Sequence, residues 1–146
     1  MPMIRLILSD NDVSTTYENI TTIKGVGLVL ASAMIVSTNN FRTFGTWRKF
    51  ACYAGIAPFE HTSGSSYRGK TRVSYLGNRS LKTILTLAAC TSIQYDPEMK
   101  MYYHRKLADG KNKMSVLNVV RNKIVSRVFA VANRGTPYVN VAKYAS

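Results

Sequence analysis

Apolar residues recur at helical spacing along most of this chain and lose that spacing in one long interval. Leu81, Leu85 and Ala88 stand three and four positions apart, on one face of a helix that the pattern carries from Asn78 to Tyr95. Val116, Val119, Val120, Ile124, Val128 and Val131 mark a last, longer helix that ends near Gly135. Between the two, Asp96-Pro97-Glu98 reads as a helix start. The Asp side chain can cap free N–H groups, Pro has the fixed φ that a first turn needs, and an acid is favoured at the positive end of the dipole. That helix is predicted to reach about Ala108, where Asp109-Gly110 breaks it.

The N-terminal half follows the same logic in shorter pieces. Met1 to Asp12 has no clear period and closes on Ser9-Asp10-Asn11-Asp12, a cluster that favours a turn or a helix start. Tyr17 to Ile23 reads as a short helix and Lys24-Gly25-Val26-Gly27 as a tight turn. Leu28 to Ser37 reads as a second helix, rich in small and apolar residues and stopped by Thr38-Asn39-Asn40. Trp47 to Tyr53 forms another, capped by Thr46 and closed by Gly55 and Pro58. From Phe59 to Gly77 the sequence turns polar, with Ser, Gly, Arg and Tyr and no stripe. Loops of that length inside a domain usually have a function. The expected fold is mainly α: a compact bundle of four to six helices that includes a helix-hairpin-helix-like motif. A long basic Ser/Gly loop, or a small β-hairpin in its place, completes it. Residues 1–14 read as an N-terminal segment, the cut end of a longer protein, residues 15–135 as one domain and residues 136–146 as a tail.

Composition adds a partner to this picture. The chain has 146 residues, 46% of them hydrophobic, which supports one folded domain and excludes a disordered chain. Twenty Lys and Arg against seven Asp and Glu give a net charge of +13 and a pI near 10.1, a surface that attracts polyanions. After Glu60 the next acid is Asp96, while Arg68, Lys70, Arg72, Arg79 and Lys82 lie between them. Nucleic-acid phosphate is the expected partner of that stretch, ahead of anionic lipid. No apolar run is long enough to span a membrane, and Met3 to Leu8, interrupted by Arg5, is too short for a secretory signal. A cytoplasmic location without membrane contact is therefore expected. Cys52 and Cys90 sit in apolar surroundings without metal-ligand spacing and read as buried free thiols. Asp96, Glu98 and Asp109 make no metal site, and none is expected in this chain.

Two motifs carry the candidate chemistry. Ile20 to Ile35 resembles the helix-hairpin-helix of DNA-binding proteins. Gly25 and Gly27 let the backbone turn sharply toward a phosphate, Lys24 adds a charge, and the next helix offers free N–H groups. A hairpin that merely packs into the core, with its glycines needed for geometry alone, fits the same residues. The second motif runs through Ala54-Gly55-Ile56-Ala57-Pro58, Thr62-Ser63-Gly64-Ser65-Ser66, Arg68-Gly69-Lys70 and Tyr75-Leu76-Gly77-Asn78-Arg79-Ser80-Leu81-Lys82, with Ala88-Ala89 after it. In that order these elements resemble the C-terminal domain of the Piv and IS-one-ten type transposases, RNA-guided serine recombinases, and the resemblance extends over roughly residues 20–130.

The resemblance implies that Ser63 is a nucleophile that attacks a DNA phosphodiester. On the residues alone, Ser65 and Ser66 compete with it. A serine hydroxyl needs help near neutral pH, and Arg68, Lys70, Arg72 or Arg79 could stabilise the charge that gathers in the transition state. Lys82 joins these as a phosphate contact. Tyr67 and Tyr75, among the cations, could stack on bases or simply cover the core. His61 reads as a solvated loop residue, His104 as structural or solvated, and Arg121, Lys123 and Arg127 as a solvated basic face. The resemblance also implies DNA and a guide RNA as partners, together with an N-terminal RuvC-like domain whose acids hold divalent metal (Mg). That domain is not in this sequence, so the chain is expected to be a fragment or truncated product, inactive alone. A homo-oligomer is left open. The alternatives are a non-catalytic helix-hairpin-helix module that binds nucleic acid and an inactive remnant.

Overall fold

In the computed structural model, residues 11–57 and 79–139 are described, and all regular structure among them is helical. The helices are α1 (Asn11–Ile20), α2 (Leu28–Ser37), α3 (Trp47–Ala54), α4 (Arg79–Tyr95), α5 (Pro97–Ala108) and α6 (Lys113–Arg134). A mainly α bundle is thus what the chain forms. The stretch that left a hairpin open, residues 59–77, lies outside the described residues.

Local chemistry sets most helix ends. Asp96 accepts from Glu98 N at 3.0 Å, with Pro97 in the first turn behind it. Thr46 accepts from Lys49 N, and Gly55 ends α3 in the left-handed conformation at φ 78°. Two boundaries differ from the sequence reading. The first helix runs from Asn11 to Ile20 rather than from Tyr17 to Ile23. Asn11 and Asp12, the described part of the Asp and Asn cluster, are helical. At the other end the Thr21 hydroxyl bonds the carbonyls of Tyr17 and Glu18, Thr22 bonds that of Asn19, and the chain leaves the helix there. The last helix begins at Lys113, three residues before its first core valine. Asn112 accepts from the backbone N–H of Met114 and of Ser115 and so caps a polar first turn.

After α2 the chain makes a left-handed turn through Asn39, Asn40 and Phe41, at φ 51°, 56° and 66°. Asparagine tolerates this region, but Phe41 is strained there by about 1–2 kcal/mol. Buried Thr38 holds the turn, donating to Met34 O at 2.6 Å and accepting from Phe41 N at 2.8 Å, while the Phe41 ring meets Phe129 edge-on.

Helix α6 is the central strut and touches α1, α3, α4 and α5. Val120, Ile124, Val125 and Val128 are fully buried on it. Each contributes about 1.5–3 kcal/mol relative to exposure. Helix α4 packs against α6 and also receives α2, α3 and α5, with small residues Ala88, Ala89 and Ser92 buried at the contacts. Phe50, Met34, Ile20, Ile23 and Ile56 fill the space between the N-terminal helices and this pair.

Candidate nucleic-acid interface

The turn between α1 and α2 shows what its glycines are for. Gly25 has φ +98°, and a Cβ placed on it would lie 2.9 Å from the carbonyl oxygen of Ala88 and 3.1 Å from Ser92 Cβ. Its bareness is required by packing on α4, which is the geometric reading of the hairpin. Gly27 is different: a Cβ there meets nothing within 4 Å, and its backbone is extended. It stands at the N-cap of α2 with no side-chain cap, and the first helical bond runs from Ala31 N to Gly27 O. Lys24 is exposed, and its Nζ donates to Tyr95 O at the end of α4, at 3.4 Å. Lys24 thus tethers the turn to α4 from one side while Gly25 presses on it from the other.

Of the remaining predicted contacts, Arg79 lies exposed in the first turn of α4 and Lys82 half-buried in the next. Ser63, Arg68, Lys70 and Arg72, with His61, Tyr67 and Tyr75, lie outside the described residues.

Three residues of α6 organise the root of that stretch: Asn118 and Asn122, which sequence reading did not select, and Arg121, which it read as solvated. The side-chain amides of Asn118 and Asn122 both donate to Ile56 O, at 2.9 and 2.8 Å. Arg121, buried between them in sequence, donates to Asn118 Oδ1 at 3.1 Å and to Thr86 Oγ1 on α4 at 2.7 Å, while its Nε has no partner. It has no ion pair among the described residues. Burial pushes its pKa below the ordinary arginine range, and the nearby Cys90 opposes that shift. Since the free side chain is charged at every accessible pH, a lowered folded pKa means that burying this cation costs stability throughout. The clue in the sequence was an Asn-x-x-Arg-Asn run amid a valine stripe, polar on a face that had to be inside.

The expected basic face of α6 is therefore corrected. Arg121 is buried, and Arg127 is largely buried, joining Asp96 Oδ2 at 2.8 Å and Glu98. Lys123 is half-buried over the Tyr102 ring. A 3.6-residue period places these positions against α4 and α5, which charge counting could not see. The cysteines are corrected as well: Cys52 and Cys90 are free but exposed, because their helices turn Phe50 and Ala89 inward instead. His104 is exposed, its ring edge-on to Tyr103. No described helix is long and apolar enough to cross a membrane.

The sequence model of the Transposase IS116/IS110/IS902 family matches residues 17–104, more than half of the chain. The chain belongs to that family. The match runs from the last residues of α1 through α2, α3 and α4 into α5. An IS110 uncharacterized 43.6 kDa protein of Streptomyces coelicolor is 34% identical over 119 residues, 82% of this chain and 29% of that protein. A pilin gene-inverting protein of Moraxella bovis is 25% identical over 118 residues, covering 80% of this chain and 37% of its own length. An IS900 uncharacterized 42 kDa protein of Mycobacterium paratuberculosis is 29% identical over 109 residues, 73% of this chain and 27% of that protein. The chain therefore spans roughly a third of these curated relatives.

Proposed function

We propose that this transposase-family domain binds DNA and supplies Ser63 as the nucleophile of strand cleavage and exchange. In that step Ser63 Oγ forms a bond to phosphorus, the bond from phosphorus to one deoxyribose oxygen breaks, and that oxygen leaves as a hydroxyl carrying a proton. The chain remains linked to one DNA end through a phosphoserine ester. Arg68, Lys70, Arg72, Arg79 and Lys82 hold phosphate and offset the developing charge. Lys24 and the uncapped start of α2 at Gly27 add a contact, with Gly25 shaping the turn. Family membership carries this reading, together with the order of motifs from Ala54 to Ala89, which runs through the first turn of α4, where Arg79 stands exposed, to the buried Ala88 and Ala89.

A guide RNA and an N-terminal RuvC-like domain that holds Mg are part of the same proposal. The acids described in this chain do not suit that metal. No group of three His, Cys, Asp or Glu gathers among the described residues, and Asp96 and Glu98 are committed to Arg127. In this proposal the metal is held by the RuvC-like domain.

The test joins the chain to that domain and a guide RNA and follows cleavage of a duplex target. Ser63→Ala is expected to abolish both cleavage and the covalent protein–DNA species, while Ser65→Ala and Ser66→Ala retain them. Cleavage retained by Ser63→Ala refutes the assignment. DNA affinity lost with Lys24→Gln but kept when Arg68, Lys70 and Arg72 are all changed to Gln would favour the non-catalytic hairpin module instead.

A further inference from the structure

Tyr102 lies half-buried on α5, and three cations converge on its ring. Lys123 Nζ is 4.7 Å from the ring centroid, the Arg105 guanidinium carbon 5.6 Å and Lys106 Nζ 5.8 Å. Tyr102, Arg105 and Lys106 stand three and four residues apart and so share one face of α5, and Lys123 reaches them from α6, which packs alongside.

Helix chemistry explains part of this arrangement. Arg105 and Lys106 occupy the last turn of α5, where the negative end of the dipole favours cations. It does not explain Lys123, which sits in the middle of α6, nor the lack of an ion pair to any of the three among the described residues. The ion pairs among the described residues join Arg42 to Asp12 and Arg127 to Asp96 and Glu98. Asp109, one turn further along the same face, pairs with none of the three cations. Three like charges within 5.8 Å of one ring repel each other, and the negative face of the ring offsets that repulsion only in part. An anion that bridges them removes the cost. A phosphodiester backbone suits the cluster because it brings spaced single charges, and because the exposed part of an aromatic ring can meet a sugar or base between them.

We propose that Tyr102, Arg105, Lys106 and Lys123 form a second backbone-binding site for nucleic acid, on the α5–α6 face. It shares with the proposed function the premise that the chain meets nucleic acid, and it extends that premise to a surface distinct in sequence from residues 63–82. The site grips phosphate and takes no part in cleavage.

The experiment uses the whole 146-residue chain. Binding of a fluorescent 20-base-pair DNA duplex, and in a second arm of a 20-nucleotide single-stranded RNA, is followed by anisotropy across a salt series. The compared proteins are wild type, Lys123→Gln, and the triple variant Arg105→Gln, Lys106→Gln, Lys123→Gln, with helical content checked by circular dichroism. The triple variant is expected to bind about tenfold or more weakly at low salt. The slope of log affinity against log salt should shrink by about two to three for the duplex, at about 0.9 for each phosphate that the variant no longer neutralises. Lys123→Gln alone should show about one such step, which keeps the test intact if the triple variant folds poorly. Weakened binding in the DNA arm, the RNA arm or both assigns the source of the phosphate. Unchanged slopes in both arms, with wild type binding normally, overturn this site and leave the Ser63 proposal standing. No salt-dependent binding by wild type overturns both.

Discussion

Replacing Gly25 by Ala tests whether the α1–α2 turn is shaped by packing. At φ +98° an L side chain leaves the tolerated left-handed region, at a cost of about 1–3 kcal/mol. The new methyl would also sit 2.9 Å from the Ala88 carbonyl oxygen, a backbone atom in the middle of α4 that can yield only if the helix moves. Overpacking of that kind costs about 1–3 kcal/mol more. Together these predict a loss of about 4 kcal/mol, a large share of the roughly 5–15 kcal/mol that holds a domain folded. For a chain of this size the melting temperature should fall by roughly 10–20 °C. Gly27→Ser is the matched control. It adds a hydroxyl at an N-cap with open space around it, in an extended backbone that any residue adopts, and should stabilise by a few tenths of a kcal/mol, about 0.3. Urea titration reads both variants, with an unchanged slope expected since neither alters the surface exposed on unfolding. A Gly25→Ala protein within about 0.5 kcal/mol of wild type, yet weakened in DNA binding, would refute the packing account and restore the glycine as a phosphate contact.

Two other outcomes follow from the side chains that proved to be placed differently than expected. Arg127→Met should destabilise by about 3 kcal/mol in a denaturant titration, because it leaves the buried Asp96 carboxylate without its cation, whereas Arg127→Lys should recover part of the loss. Equal stability in Arg127→Met and wild type would mean that the pair offsets only its own desolvation. Cys52 and Cys90 should both react with an aromatic disulfide reagent in the native protein, two equivalents without denaturant. Reaction of neither until the chain unfolds would place both thiols inside.

The elements that were legible in the sequence were those whose ends are set by local chemistry. Asp96-Pro97 before α5, Thr46 before α3 and Gly135 after α6 act on the neighbouring few residues and need no tertiary contact. Likewise the family could be read from Ala54 to Ala89 because it is written in the order of motifs. What escaped were facts that depend on two helices at once. Arg127 looks like a solvated charge until α5 brings Asp96 and Glu98 to it. Arg121 looks the same until α4 covers it and Thr86 takes its hydrogen bond. Gly25 and Gly27 are alike in sequence, but only one of them faces a helix.

That contrast bears on where the positive charge of the domain acts. Acids here are placed by helix capping: Asp96 caps α5 and Glu98 follows in its first turn, so two of the few carboxylates serve a single arginine. Asp12, in the first turn of α1, meets Arg42 in an exposed pair worth at most about 1 kcal/mol. Cations gather around Tyr102, where the last turn of α5 favours Arg105 and Lys106 and Lys123 joins them without an ion pair among the described residues, and Arg79 lies in a first turn of α4 that holds no acid. Among the described residues, positive charge is therefore concentrated where helix capping places few acids to pair with it. Adding an acid at a capping position away from Gly27 and Arg79 should change stability and leave nucleic-acid affinity nearly constant. Removing Arg79, or the cations around Tyr102, should do the reverse.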